Sequence, residues 1–435
     1  MDLSPSQQLA FEKYLARKNA FITGPGGTGK TFLIKHINQH ALNRGKKIQI
    51  CALTGCAAVL LACKAKTLHS WAGIGLMRRP DQEIATSIAL NTFKRRRWRN
   101  VDILVIDEVS MMSKRLFELL DIIGRKVRNS QEPFGGIQVI LSGDFYQLPP
   151  IGDIDHPGSE LFCFESDKWS AYMEHQVELT TNFRQTDKVF KKILNQIRVG
   201  RMYKSSYEIL RQCLNKPCSH EIQPTILYPR KYLVDKANQD RLRGITEESI
   251  TFTAKTLTLD VTKQITTRML TDEEKYIKGS GVFEIELVLK IGAQVMCICN
   301  LDLDNSLCNG SLGKIISFSP LGFPIVRFLN GVEREITRHT WESETIPGFG
   351  VSQIPLILAW ACSIHKAQGA TLDMAEVDVG SKIFECGQTY VALSRVRDLE
   401  GLYLSSFDPC KIKVNCKVQD FYDGMGLEPS VRTSL

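Results

Sequence analysis

The 435-residue chain carries 55 Lys and Arg against 47 Asp and Glu, a net charge of +8, with 43% hydrophobic and 23% charged residues. This is the profile of an ordinary globular protein with two to four cores, and it excludes a low-complexity or disordered chain. The moderate basic balance is compatible with a nucleic-acid partner without requiring one.

The start, Met1-Asp2-Leu3-Ser4-Pro5, has neither a basic n-region nor an arginine-rich amphipathic pattern, so no signal or transit peptide is expected. Residues 3 to 20 read as a capped helix with Ser4 at the N-cap, Pro5 at the first helical position, and Leu9, Phe11, Tyr14 and Leu15 on an apolar side. Gln7 on this helix is either a surface glutamine or, beside a phosphate site, a reader of an adenine edge through its donor and acceptor. A short apolar run then leads into Gly24-Pro25-Gly26-Gly27-Thr28-Gly29-Lys30-Thr31 and a helical pattern from Phe32. Strand, glycine-rich turn and helix in that order make a phosphate-binding loop. Glycines turn successive N–H groups onto an anion, and the helix adds the positive end of its dipole. Lys30 would reach the β- and γ-phosphates and Thr31 would offer a hydroxyl to magnesium.

Ile48 to Thr54 reads as a second buried strand, followed by Thr67-Leu68-His69-Ser70-Trp71-Ala72-Gly73. Trp71 there is either core or a platform on which a base stacks. Lys94-Arg95-Arg96-Arg97-Trp98-Arg99 is the one dense basic run, a solvated helix face or else a localisation or DNA-facing patch. The apolar strand Val101 to Ile106 ends in Asp107-Glu108, an acid pair suited to supporting a metal and polarising a water. Phe134 to Pro150 reads as another strand leading into a polar loop, which places Gln147 at a strand end. Strands alternating with helices indicate a doubly wound parallel sheet whose ligand lies at the strand C-termini.

A second α/β pattern begins after residue 180, with strands expected at Thr225 to Tyr228, Leu356 to Trp360 and Gly401 to Leu404. Between them, about 287 to 354 holds short β-like runs broken by Asn309-Gly310, Pro324 and Asn330-Gly331, as a small inserted β-barrel would. Arg184 and Arg395 are arginines of the kind that reach a γ-phosphate across a cleft, or surface ion-pair partners. The 13 cysteines include no C-x-x-C pair, and Cys51, Cys56, Cys63, Cys297, Cys299 and Cys362 lie in apolar runs, which suits reduced core thiols of an intracellular protein. No apolar run reaches membrane-spanning length.

Together these blocks resemble the superfamily 1 helicases, and most closely the Pif-type DNA helicases. Leu3 to Gln7 is similar to the family's adenine-reading motif, Gly24 to Thr31 to motif I, Thr54-Gly55 with Thr67 to Gly75 to motif Ia, and Asp107-Glu108 to motif II. Asp121 to Gln138, closing in Pro133-Phe134-Gly135-Gly136-Ile137-Gln138, resembles the family signature. Gly143 to Pro150 resembles motif III, Asn182 to Gln185 motif IV, Ser363 to Gly369 motif V, Tyr390 to Arg395 motif VI, and Leu307 to Gly313 the inserted barrel. Pro25, Cys56 and Cys308 depart from the usual residues.

The resemblance implies an α/β fold with two RecA-like doubly wound parallel-sheet domains, an inserted β-barrel and a short wedge. Expected limits are 1–180 for the first domain with a hairpin-like wedge at about 76–98, 181–286 and 355–435 for the second, and 287–354 for the barrel. It implies an ATP- and Mg²⁺-dependent motor that moves 5′ to 3′ on single-stranded DNA and unwinds forked or tailed duplexes in replication, repair or recombination. Lys30, Asp107, Glu108, Gln147, Arg184 and Arg395 would be catalytic. Gln7, Gly24 to Thr31, Gln368 and Gly369 would hold ATP, and Thr31 and Asp107 the metal. Thr54, His69, Trp71 and His365 would track DNA. A monomeric core, with replication or repair proteins as partners, in cytoplasm or nucleus, is expected. The competing reading is a nucleic-acid-binding module with a vestigial ATPase. A GTPase is disfavoured by the lack of an N-K-x-D block, and a kinase by the size of the second lobe.

Overall fold

The first helix, Pro5–Leu15, starts where local chemistry demands it: Ser4 Oγ accepts from Gln7 N while Gln7 Oε1 accepts from Ser4 N, a reciprocal capping box, and Pro5 follows the cap. Its buried side is Gln7, Ala10, Phe11 and Tyr14. Leu9 and Leu15, expected on that side, are 46% and 48% exposed, because the i, i+3, i+4, i+7 stripe is set by Gln7 rather than by the leucines. The helix ends at Leu15, short of the expected residue 20, and Arg17 leaves it with a φ of 57°. The computed structural model describes residues 2–425 except 62, 76, 153–155, 157, 259–264, 280–282, 300, 303–306, 308, 344, 345, 347, 381 and 382.

The chain divides into two units. The first comprises Met1–Ser206, Phe384–Ser394 and Pro409–Leu435. Its sheet is built of β1 (Ala20–Thr23), β2 (Ile48–Ala52), β3 (Lys66–Thr67), β4 (Ile103–Asp107), β5 (Gln138–Ser142) and β6 (His175–Glu178). All six run parallel in the order β3-β2-β4-β5-β1-β6. Because successive strand residues face opposite sides, Phe21, Cys51, Leu104, Ile106, Val139 and Leu141 pack with the helix Lys114–Arg128. Ile22, Ile50, Ala52, Ile103, Val105 and Ile140 pack on the other face with the helices Pro5–Leu15 and Lys30–Asn43. Helices on both faces explain strands that read as continuous apolar runs. The stretch expected as a hairpin-like wedge is two helices, Asp81–Leu90 and Thr92–Asn100, the second capped by Asn91; residue 76 lies outside the described residues.

The second unit comprises Tyr207–Ile383 and Arg395–Asp408. Along it run β7 (Thr225–Tyr228), β8 (Ser249–Thr253), β9 (Lys255–Thr258), β10 (Glu286–Lys290), β11 (Gln294–Cys297), β12 (Leu312–Phe318) and β13 (Pro324–Phe328). These are followed by β14 (Glu333–Glu335), β15 (His339–Glu342), β16 (Phe349–Gln353), β17 (Leu356–Leu358), β18 (Ala361–Ser363), β19 (Ala375–Val379) and β20 (Leu402–Phe407). A parallel sheet has the order β18-β7-β19-β20. The remaining strands form small antiparallel sheets, β14-β13-β12-β11-β17, β15-β16-β9 and β10-β8.

Two expectations change here. The antiparallel region draws in β8 and β9, which lie before the expected start at 287. Leu356 to Trp360 is not one strand of the α/β pattern: β17 pairs antiparallel with β11, and the parallel sheet takes the next segment, Ala361–Ser363. Both segments are apolar, so composition does not mark the break. Among the expected core thiols, Cys51, Cys297, Cys299 and Cys362 are buried and Cys63 is half-buried; Cys308 and the Cys56 side chain lie outside the described residues.

Candidate nucleotide site

The phosphate loop begins at the C-terminal end of β1 and opens the helix Lys30–Asn43. Gly24, Gly27 and Gly29 have φ of 142°, 88° and 79°, open only to residues without a Cβ. A Cβ on Gly27 would lie 2.6 Å from Arg184 Cβ, and one on Gly29 would lie 2.5 Å from Gln7 Nε2. The loop is therefore tight as well as turned. Thr28 Oγ1 donates to Pro25 O at 2.9 Å, and Lys30 Nζ folds over the loop to Gly24 O at 2.6 Å and Pro25 O at 3.0 Å. Thr31 is exposed at the first turn of the helix.

Burial lowers the Lys30 pKa, while the carboxylates of Asp144, Glu108 and Asp107 pull it back up. Asp107 ends β4 at 5% exposure, with its Oδ1 accepting from Ser142 Oγ at 2.7 Å. Burial first, then the neighbouring Glu108, pushes its carboxyl up to about 7. Glu108 is held at φ 57°, ψ 42°, an uncommon backbone for a non-glycine residue and of the kind found where a side chain must be aimed. Gln147 is 5% exposed, and its backbone is pressed by Gly387, where a Cβ would lie 2.5 Å from Gln147 O.

Motif IV seats directly on the loop. Asn182 Nδ2 donates to Gly26 O at 3.0 Å, Phe183 N donates to Gly27 O at 2.8 Å, and Asn182 Oδ1 accepts from Arg184 N and Gln185 N. Arg184 NH1 donates to Ser394 O at 3.2 Å and lies 3.7 Å from where a Gly26 Cβ would be. The side chain of Gln7 is 1% exposed, with Nε2 donating to Gly29 O at 3.3 Å. Sequence reasoning missed Phe183, an aromatic 59% exposed beside Gly29, which offers a planar face next to Gln7. It also missed Tyr390, whose hydroxyl accepts from Gly26 N at 2.8 Å. Both lie inside the matched segments Asn182 to Gln185 and Tyr390 to Arg395, so an aromatic within each was the available signal.

Arg395 belongs to the second unit, where it is 2% exposed and its NH1 donates to Ala367 O and Ala370 O at 3.3 and 3.4 Å. Gln368 is buried there and Gly369 has a φ of 82°, just after the short helix Ile364–Ala367 that carries half-buried His365.

In the first unit, Thr54 Oγ1 accepts from Ala57 N, and His69 is half-buried, its pKa lowered by burial. Trp71 is 3% exposed, its ring 4.8 Å from that of Trp98 inside the core. It is no surface for a base, and the core alternative is the one its packing supports. The basic run is also more than a solvated face. Lys94 Nζ, Arg97 NH1 and Trp98 Nε1 donate to Gly73 O, Ser70 O and Ala72 O at the C-terminal end of the helix Leu68–Ala72. Arg96 remains exposed.

A cavity of about 700 Å³ opens at the other, N-terminal edge of the strands, lined by Arg17, Lys18, Arg44, Lys46 and Asp102 among others. Arg17 and Arg44 follow helix C-termini, where cations complement the dipole, so the fold accounts for them. The groups suited to phosphate and a cation lie at the loop end instead. The glycine cradle, the folded-back Lys30 and a buried carboxyl whose charge is opposed by a neighbouring acid fit a nucleotide phosphate with a divalent cation. The donor set, a hydroxyl and carboxylates, suits Mg²⁺.

Comparison with known proteins agrees with this geometry. Residues 3–208 match the PIF1-like helicase family model, and residues 275–318 match that of the DNA helicase Pif1 2B domain. The ATP-dependent DNA helicase PIF1 of Xenopus laevis is 38% identical over 100% of this chain and 66% of its own length. The chain spans 60 to 66% of the length of this and similar curated relatives. The crystal structure of the Pif1 helicase from Candida albicans is 33% identical, with a TM-score of 0.76 over 98% of this chain and 100% of that one. Pif1 from Bacteroides in complex with ADP-AlF3 and ssDNA is 28% identical, with a TM-score of 0.66 over 98% of this chain and 99% of that one. The chain belongs to the PIF1-like helicase family.

Proposed function

We propose that this chain is an ATP-dependent DNA helicase that moves 5′ to 3′ on single-stranded DNA and separates forked or tailed duplexes. The observation that carries the reading is Lys30 in a glycine cradle, surrounded by Asp107, Glu108 and Asp144, with Arg184 at the Gly26 backbone. Lys30 and the loop N–H groups hold the phosphates, Gln7 and Phe183 hold the base, and Gln147 faces the γ-phosphate. Thr31 and Asp107 would hold Mg²⁺, which supplies charge neutralisation on the phosphates. Glu108 accepts the proton of the attacking water. Arg184 stabilises charge developing on the transferred phosphoryl group, and Arg395 is the second arginine proposed for that role.

Thr54, His69 and His365 are proposed contacts to the strand. Leu90 and Phe93, 78% and 69% exposed around the turn between the helices Asp81–Leu90 and Thr92–Asn100, are proposed as the edge that parts the duplex. The proposed domain limits follow the family pattern, with two RecA-like domains and a barrel closing the antiparallel strands. A monomer acting with replication or repair proteins, in cytoplasm or nucleus, is the associated assignment. The vestigial-ATPase alternative is weakened by the presence of every catalytic side chain. Unwinding of matched 5′- and 3′-tailed duplexes, with and without ATP and Mg²⁺, tests the proposal. ATP-dependent opening of the 5′-tailed duplex alone is expected, and activity only from the 3′ tail would defeat it.

A further inference from the structure

The helix Cys416–Gly424, capped by Asn415, belongs to the same unit as the phosphate loop. Phe421 anchors it among Phe21, Phe145, Phe164 and Trp169. The next residue, Tyr422, does something apolar packing does not require. Its ring stacks on Tyr146 at 4.8 Å and 8°. Its hydroxyl, in a side chain 3% exposed, lies 2.6 Å from Thr23 Oγ1, accepts from Phe145 N at 3.1 Å, and lies 3.5 Å from Asp144 Oδ1. A buried hydroxyl is costly unless satisfied, and a phenylalanine would fill the same space without that cost.

The two segments joined by this hydroxyl are the ones that must hold the nucleotide. Thr23 is the last residue of β1, directly before Gly24, whose carbonyl holds Lys30. Phe145 is two residues before Gln147, and Asp144 is the foremost charge acting on Lys30. Arg198 closes the cluster: Nε and NH2 donate to the two Asp144 oxygens at 3.0 and 2.9 Å, and its guanidinium lies 4.7 Å from the Tyr146 ring. Asp144 is thereby held from one side by Arg198 and approached from the other by Tyr422.

We propose that Tyr422 is a positioning residue for ATP hydrolysis, holding the end of the phosphate-loop strand and the Gln147 segment in register through one hydroxyl. The proposal rests on the nucleotide-site reading above. Small displacements of such groups cost rate far more than they cost binding. The test compares wild type, Tyr422→Phe and Thr23→Val as full chains. It reads kcat and KM for DNA-stimulated ATP hydrolysis, affinity for ADP and for ADP with aluminium fluoride, and thermal stability.

Tyr422→Phe keeps the ring stack. A fall in kcat of about tenfold is expected, with KM and ADP affinity within about twofold and a matching loss in affinity for the fluoride complex. Thr23→Val should do the same, and the double variant should be no worse than either alone. An unchanged kcat and fluoride affinity would overturn the proposal. So would equal weakening of ADP and its fluoride complex accompanied by a fall in thermal stability, because that is the mark of a purely structural role. A wild-type chain that hydrolyses ATP without unwinding would sink the helicase reading and leave this comparison to decide on its own terms.

Discussion

Two carboxylates of the first unit, Asp107 and Asp121, are both buried, and their environments act in opposite directions. Asp107, at the end of β4, is 5% exposed and its carboxyl is pushed up to about 7 by burial and by Glu108. Asp121, in the helix Lys114–Arg128, is 0% exposed. Burial alone would raise it too, but bonds from Arg125, Lys168 and Phe134 N outweigh that and hold it below its ordinary value. Asp121 receives Arg125 Nε at 2.8 Å, Phe134 N and Lys168 Nζ at 2.9 Å and Tyr172 Oη at 3.1 Å. It pins the signature segment, where Gly124 and Gly135 touch so closely that a Cβ on either would lie within 2.4 Å of the facing carbonyl. Asp121 is surrounded by enough donors to offset its burial; Asp107, with Ser142 and Lys30 against burial and Glu108, is not.

That contrast is open to direct attack. The largest effect is expected at the reacting centre: Glu108→Gln should lower ATP turnover by about a hundred- to a thousandfold with an unchanged melting temperature. Parallel loss of melting temperature would count against a purely chemical role. Trp71→Ala should behave in the opposite way, costing about 3–5 kcal/mol of stability in denaturant titrations. Single-strand affinity per folded molecule should stay near wild type. Weakened binding at full stability would restore the ring to the DNA track.

Asp121→Ala should cost about 2–4 kcal/mol, because Phe134 N loses its buried acceptor, while kcat per folded molecule holds. A depressed pKa means that Asp121 stabilises above its unfolded pKa and loses that contribution as pH falls through its lower folded value. The variant's deficit should therefore shrink in strong acid.

The smallest effect has the opposite sign. With a folded pKa raised to about 7 from 3.8, Asp107 makes the folded state hold the extra proton, so stability falls as pH rises between those values. Asp107→Asn should abolish turnover yet stabilise the nucleotide-free protein by about 1–2 kcal/mol at pH 8. Near pH 4 the gain should vanish. A destabilised Asn variant at pH 8 would mean that the carboxylate is already compensated.

Local chemistry was readable without coordinates wherever a residue's role depends on its chain neighbours. The phosphate loop needs consecutive glycines and a following helix. The Ser4 cap needs Pro5 and Gln7, and Asp107-Glu108 needs only a strand to end. Each is written within a few residues, so each could be located by number.

Other roles depend on what arrives from far along the chain. Trp71 reads as either core or a base platform until Trp98 closes over it. Leu356 to Trp360 reads as a strand of the parallel sheet until β11 takes Leu356–Leu358 and β7 pairs with the next segment, Ala361–Ser363. The basic run reads as solvated until its side chains reach the carbonyls of residues 70 to 73. Burial, partner and register are properties of packing, and packing brings Thr23 within 2.6 Å of Tyr422, separated by 399 residues of chain. Chain order alone was enough to name candidate reacting groups and to expect the parallel sheet that carries them. Which buried charges are satisfied emerges from packing alone, because a carboxylate's environment is set by donors that no local pattern records.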